Sequence, residues 1–390
     1  MISRRTTIQQ LAFAGAGMAL GPDVLFAAAA QAAGTEAVPF DDIPANFSTK
    51  RTGNFTLPGE DVGGIDLRTM SWTVKPEDTF VVAHYPIPRV GAAEWRLQID
   101  GNAGRPMTLT LDELKRRPRV ERTVMFECGG NREGVFHRMV TNATWTGCSL
   151  RSLLDEVKPS RDVMDVVFWG SDEGEETIRN EKYTMNFARS MTLEDALAAD
   201  AVLAYELAGA PLPIVHGFPV RLVVPGWYGV ANVKWLKRIE LSPRRFLGRF
   251  MGRDYVTIMG NKKGDRIEYT ETSVTRMLVK SVIARVSRPA AGAAGQFTVA
   301  GAAWTDGTAL QSVEVQVDGG PWRAARLEKQ ATASPHAWTL WTAAIDPLPP
   351  GTHTLASRAT DRRGHTQPAD LSLKKSNWEN NAIWVRKIKV

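Results

Sequence analysis

Apolar residues change their spacing once along this chain. Between about residues 40 and 260, short helical spacings alternate with apolar runs too brief for helices. Thr110 stands before Leu111-Asp112-Glu113, and Thr192 stands three residues ahead of Asp195, so each marks a helix start whose side-chain oxygen can cap free backbone N–H groups. Leu150 to Val157 has helical spacing, while Val163 to Trp169 and Val220 to Val224 read as strands. Beyond about residue 270 the period becomes two. Ser312 to Val317 alternates ahead of Asp318-Gly319-Gly320; Trp338 to Ile345 and His353 to Ala359 flank the turn Leu348-Pro349-Pro350-Gly351. The pattern predicts an α+β unit followed by an all-β sandwich of the immunoglobulin type.

The first residues do not belong to that pattern. Ser3-Arg4-Arg5-Thr6-Thr7-Ile8 leads into an uncharged stretch, Leu11 to Leu20, and then an alanine-rich tract from Ala27 to Ala33. This reads as a twin-arginine export signal with small residues for cleavage, so residues 1–33 are set aside and a periplasmic location is expected. Gly15, Gly17, Gly21 and Pro22 interrupt the apolar stretch and Asp23 ends it, short of the ~20 apolar residues a membrane span needs. No span is expected elsewhere. About 355 residues then remain, which exceeds the usual single-domain size and predicts units at 34–268 and 269–390.

Composition narrows the chemistry. The chain has 390 residues and a net charge of +6, but its basic residues are scattered and form no nucleic-acid stripe. Cys128 and Cys148 are the only two cysteines, too few for a disulfide framework in an oxidising compartment. Cys148 lies in Trp145-Thr146-Gly147-Cys148-Ser149-Leu150, where a small core residue serves as well. Cys128 differs. It follows the β-prone Thr123-Val124-Met125 within Phe126-Glu127-Cys128-Gly129-Gly130-Asn131-Arg132, at the mouth of a glycine turn. A thiolate there is a soft donor for a heavy transition metal, and two glycines admit a bulky cofactor; a packed cysteine at a strand end is the alternative.

Four further stretches decide between these. Tyr205-Glu206-Leu207-Ala208-Gly209-Ala210-Pro211-Leu212-Pro213, His216-Gly217-Phe218-Pro219-Val220-Arg221, Val224-Pro225-Gly226-Trp227-Tyr228-Gly229 and Val233-Lys234-Trp235-Leu236 follow the Cys128 motif in order. Together they resemble the successive signatures of the sulfite oxidase family of molybdenum enzymes, whose molybdopterin domain precedes an immunoglobulin-like dimerisation domain. The resemblance implies that Cys128 is the thiolate ligand of molybdenum. It implies cofactor contacts at Phe80 to His84, Asp172, His216, Arg221, and Asn232 to Lys234. Arg221 and Lys234 suit the pterin phosphate, and Asp172 suits pterin N–H groups. Tyr255 matches the family's active-site tyrosine and Trp145 a pocket-lining tryptophan, and Arg132 is a further candidate catalytic residue.

The sequence also departs from that family. Val82 stands where an arginine usually holds the sulfite dianion, Glu133 where several relatives have arginine, and Thr141 where some have lysine. Arg132, His137 and Arg138 are candidates to restore charge, since a dry pocket penalises an unpaired dianion. No Cys-x-x-Cys-His haem attachment pattern occurs, so no haem is expected in this chain and a separate carrier, a periplasmic c-type cytochrome, is the expected electron partner. The expectation is therefore a periplasmic, homodimeric sulfite dehydrogenase acting on sulfite or a related small sulfur compound. A molybdenum-dependent reductase of sulfoxides or organic sulfur is the alternative within enzymes. An exported binding or scaffold protein with a degenerate cofactor site is the alternative outside them.

Overall fold

A computed structural model of the protein describes residues 34–44, 47, 64–290, 295–329 and 334–390. The expected export signal at residues 1–33 lies outside them. No helix among the described residues is long and apolar enough to cross a membrane. Sheet dominates, and the few helices are short.

The first unit is built on two five-stranded sheets. One is antiparallel and runs Arg221–Val223, Val202–Leu207, Val140–Ser149, Arg119–Glu127, with Ala210–Pro211 on the flank of Val202–Leu207. The other is mixed. Its order is Met107–Thr110, Arg96–Gly101, Leu236–Ser242, Asp165–Ile178, Glu181–Thr192, and the Arg96–Gly101 and Leu236–Ser242 strands are parallel. Leu97, Ile99, Val124, Leu203, Leu222, Ile239 and Leu241 are fully enclosed between these sheets and their helices. Burial of that kind stabilises by about 25 cal/mol per Å² of apolar surface and fixes the register.

The helices form where their caps lie. Thr110 and Glu113 make a reciprocal capping box at the start of Leu111–Lys115, and Thr192 accepts from the Asp195 N–H at the start of Leu193–Ala198. Leu150–Val157 buries Leu150, Leu153, Leu154 and Val157 along one face, and Ser149 caps it. Lys158 then turns left-handed, and the helix ends.

Both cysteines are buried and neither is in a disulfide. The antiparallel pair Arg119–Glu127 and Val140–Ser149 explains why. Its register matches Arg119 with Cys148 at one end and Glu127 with Val140 at the other, so Cys128 and Cys148 lie at opposite ends of one ladder.

The second unit is a sandwich. One sheet runs Thr35–Ala37, Lys280–Pro289, Phe297–Trp304, Thr339–Ile345, Arg326–Leu327; the other runs Arg323–Ala324, Leu310–Val317, Thr352–Asp361, Arg386–Lys389. Val299, Val313, Trp341, Leu355 and Ile388 form its core. Thr35–Ala37 pairs with Lys280–Pro289 and Phe40 bridges to Ile388, so the earliest described strand joins this sheet and not the unit that follows it in sequence. The reason is the buried Arg386 guanidinium, which donates to Asp42 at 2.7 and 3.0 Å and covers the Phe40 ring at 3.7 Å. Between the units runs the hairpin Val256–Lys263 and Arg266–Ser273.

Candidate active site

Cys128 leaves the sheet at the end of Arg119–Glu127, and Asn131 fastens the turn it opens. The Asn131 side chain donates to Glu127 Oε1 at 2.9 Å and to the His137 carbonyl at 3.2 Å, and it accepts from the Met139 N–H at 3.1 Å. There is little room for a side chain beside it. A Cβ on Gly129 would stand 3.3 Å from Val274 and 3.4 Å from the Tyr255 ring, and one on Gly130 3.2 Å from the Trp378 ring. The turn therefore packs closely on Tyr255, which lines the same cavity as Cys128.

Cys128 lines a cavity of about 580 Å³, counted with its open mouth. Phe80, Val82, Ala83 and His84 form one wall; Asp172 and Phe187 form another; Arg221, Asn232, Lys234 and Trp235 form the floor; Tyr255 closes it near Cys128. Of the residues that the sequence nominates, Phe80, His84, Cys128, Asp172, Arg221, Asn232, Lys234 and Tyr255 thus meet in one place.

Asp172 reaches the cavity through a bulge. The ladder between Asp165–Ile178 and Glu181–Thr192 shifts register between Trp169 and Glu173, which redirects the side chain. Gly170 makes room, since a Cβ there would stand 2.3 Å from Asp172 Oδ1. That oxygen is buried without a hydrogen-bond partner. Burial raises the Asp172 carboxyl above the usual carboxylate range, against the opposing pull of the Lys234 ammonium.

The floor holds two enclosed cations. Arg221 donates to the His216 carbonyl at 3.1 Å and the Asn232 carbonyl at 3.0 Å, and its guanidinium lies 4.8 Å from the Trp145 ring centre. Its Nε has no partner, and burial pushes the guanidinium down to about 9. Lys234 donates to the Val82 carbonyl at 2.9 Å; burial and then the Arg221 charge lower its pKa, while Asp172 opposes them. Neither cation makes a salt bridge among the described residues. Two buried positive charges answered mainly by carbonyls are costly in isolation and make a seat for an anion.

His84 and Tyr255 form the remaining polar pair. His84 Nε2 and the Tyr255 hydroxyl are 2.7 Å apart, and Phe187 and Phe250 enclose the imidazole. Burial, reinforced by Lys234, Arg249 and Arg189, pushes the imidazole down to about 3. Burial, followed by the Cys128 charge, holds the phenol above its ordinary value. Both groups are neutral at ordinary pH. Tyr255 is also left-handed, at φ 57°, a strained backbone for a non-glycine residue.

Some nominated residues lie elsewhere. Arg132 is exposed, outside the cavity lining, where among the described residues its guanidinium reaches the Gly130 carbonyl at 3.4 Å. His216 sits behind the floor, with Nε2 3.1 Å from the Pro76 carbonyl, and burial pushes it down to about 3. Trp145 stacks beneath Phe126 and does not reach the cavity. The expected charge compensation is absent from the lining: the short turn Glu133–Val135 and left-handed Phe136 and His137 carry the chain away, and His137 packs on Trp384. Thr141 and Glu133 do not line the cavity either, so Val82 is the one substituted position that does.

Other participants have no sequence signal of their own. Phe187 and Phe250 enclose His84, while Trp378 of the sandwich stacks on Tyr255 with centroids 4.2 Å apart. Arg189 is buried below Tyr255 and donates to the Phe250 and Val274 carbonyls. Only the fold brings residues so distant in sequence together.

The donor set fits a molybdopterin. A thiol suits the metal, two enclosed cations suit a phosphate, and the unpartnered Asp172 oxygen suits a ring N–H. A family profile described as "Oxidoreductase molybdopterin binding domain" matches residues 84–250, and one described as "Mo-co oxidoreductase dimerisation domain" matches residues 271–390. The chain is similar to the sulfite oxidase of Gallus gallus, 33% identical over 317 residues, which covers 75% of this chain and 67% of that protein. It is 31% identical over 311 residues to the mitochondrial sulfite oxidase of Homo sapiens, covering 74% of this chain and 56% of that protein. It spans little more than half the human enzyme's length. The crystal structure of the sulfane dehydrogenase SoxCD from Paracoccus pantotrophus shares the fold, with a TM-score of 0.72 at 24% identity, covering 95% of this chain and 97% of that one. Two domain matches in the expected order and the sulfite oxidase relatives converge on the cavity's chemistry: this chain belongs to the sulfite oxidase family of molybdopterin enzymes, molybdenum-dependent oxidoreductases acting on sulfur compounds.

Proposed function

We propose that this protein is a sulfite dehydrogenase-type enzyme that oxidises a small sulfur compound in the periplasm and passes the electrons to a separate c-type cytochrome. One observation carries the reading: Cys128, two enclosed cations and the unpartnered Asp172 carboxylate face a single cavity. The cofactor, when bound, supplies exchange of two electrons and one oxygen atom with sulfur. Cys128 would hold the metal, Arg221 and Lys234 would hold the phosphate, and Asp172 would accept from the ring edge.

The protein's own residues then orient the substrate. In the neutral His84 tautomer that carries its ring proton on Nε2, the imidazole donates to the Tyr255 oxygen and leaves the phenol O–H free to meet a substrate oxygen. Because both groups stay neutral over the working pH range, this donor does not switch off near neutrality. Phe80, Phe187 and Tyr255 line the cavity with ring carbon, and the lower local polarity strengthens polar contacts beside them.

The lining also favours one substrate charge over another. With Val82 in the wall and Arg132 exposed, Arg221 and Lys234 are the cavity-lining cations among the described residues, and if both held the phosphate none would remain for a free dianion. A less charged species, such as an organic or protein-bound sulfur, is the better electrostatic match than sulfite. A sulfoxide reduced by the same cavity is the second reading, since it too is neutral.

Metal analysis of the mature protein with kinetics tests the proposal. About one molybdenum per chain, and reduction of cytochrome c on addition of sulfite or an organic sulfur donor, are expected. Cys128→Ser retains the fold and loses turnover. Full activity in that variant refutes the ligand assignment, and no molybdenum after expression in a cofactor-competent host leaves a scaffold protein. Oxidation of a reduced dye by a sulfoxide panel, with no sulfur oxidation, establishes the reductase.

A further inference from the structure

The sandwich unit enters the catalytic centre through one short strap, residues 374–380. Lys374 bridges to Met259 and the Lys375 N–H donates to the Ile258 carbonyl at 2.8 Å, so the strap runs beside the strand that follows Tyr255. The Glu379 N–H donates to the Gly129 carbonyl at 2.7 Å, one residue from Cys128. Thr257 Oγ1 donates to Glu379 Oε2 at 2.5 Å, and Lys374 Nζ donates to the Glu379 carbonyl at 2.6 Å. Each bond secures the strap; none of them holds a tyrosine ring.

Trp378 does that. Its indole stacks on the phenol at a 25° interplanar angle, and it passes close enough to Gly130 that a Cβ there would stand 3.2 Å away. Tyr255 needs such a hold. At φ 57° its backbone is strained, and its hydroxyl must still reach His84 Nε2 at 2.7 Å. An aromatic stack fixes the plane of a ring, whereas an aliphatic neighbour of similar bulk only limits its travel.

We propose that Trp378 is a positioning residue for Tyr255: through this stack the sandwich unit holds the phenol on His84 and over the cavity. The inference rests on the proposed role of Tyr255 as a substrate donor only for its kinetic consequence. The stack itself is testable without turnover. Two rings stacked at a fixed angle couple in the near ultraviolet, so the optical activity of the phenol reports on the hold.

The experiment compares near-UV circular dichroism and steady-state kinetics in the full-length, molybdenum-loaded protein. Subtracting each Tyr255→Phe version isolates the Tyr255 signal. In Trp378→Ala that signal loses about half its amplitude or more, because the stacked indole no longer fixes the plane of the phenol. With the substrate that the wild type turns over, Trp378→Ala and Trp378→Leu lower kcat by about tenfold, because a displaced donor loses orientation. Trp378→Phe restores most of it. In a Tyr255→Phe background, Trp378→Ala and Trp378→Leu cost nothing more. Wild-type kcat in Trp378→Leu, an undiminished Tyr255 signal in a folded Trp378→Ala, or an equal loss in the Tyr255→Phe background each overturns the proposal. If no sulfur compound is turned over, the circular dichroism still decides the stack, and the failure belongs to the functional reading instead.

Discussion

Lys280 Nζ lies 2.5 Å from Glu127 Oε1, and the two side chains are 1% and 2% exposed. Glu127 precedes Cys128, and Lys280 opens a strand of the sandwich. The carboxylate is otherwise served by Asn131 and by Trp304 Nε1 at 3.1 Å, and Lys280 also donates to the Asn380 carbonyl at 2.6 Å. A charge buried on each unit is neutralised by the other. The pair thus joins the Cys128 turn to the strap that carries Trp378.

Lys280→Met strands the Glu127 charge in the interior. Breaking a buried pair in this way costs about 3–5 kcal/mol, because the survivor keeps its desolvation penalty. Urea denaturation is expected to show that loss, and Lys280→Met/Glu127→Gln recovers part of it. An unshifted midpoint in the single variant would show that the pair bears no such load.

Val82 lines the cavity wall, and its own carbonyl accepts from Lys234. Val82→Arg places an obligate cation on the substrate side. It is expected to lower KM for sulfite about tenfold while leaving a neutral sulfur substrate no better bound. Steady-state kinetics with both substrates checks this, and an unchanged or raised KM for sulfite counts against the assigned wall.

Acid stability follows from the buried histidines. His84 and His216 are each pushed down to about 3, and His137 lies well below its ordinary value, all chiefly by burial. Between the usual histidine pKa near 6.5 and about 3, the unfolded chain binds protons that the folded one refuses. Stability is therefore full above about pH 6.5 and declines as pH falls, by at most about 1.4 kcal/mol per pH unit for each histidine. Denaturation midpoints between pH 5 and 7 test the sign. His216→Gln is expected to flatten the slope, and a slope equal to wild type excludes His216 from the effect.

The sandwich matches a family dimerisation domain. Light scattering of the mature protein in dilute solution is expected to give twice the mass of one mature chain. A mass of one chain at all concentrations contradicts the dimer.

Much of this site was readable from the chain because its chemistry lies in compact words. Cys128, Arg221 and Lys234 sit within motifs whose neighbours fix the local path, and Thr110 and Thr192 announced their helices. Longer-range placement was not readable. Arg132 was nominated as a neighbour of Cys128, but the turn after it takes the side chain outward, and adjacency in sequence says nothing of direction. Trp145 follows the strand's alternation into the core behind Phe126 instead of into the cavity. Trp378 and Arg189 meet Tyr255 only because separate strands converge, and no local period encodes such a meeting.

The pairing of Thr35–Ala37 with Lys280–Pro289, together with the Asp42 to Arg386 bond, has a topological outcome. The catalytic unit is an insertion, looped out between two pieces of one sandwich that must find each other across more than two hundred intervening positions. Each extremity packs on the other, so loosening one margin removes contacts that help hold its counterpart.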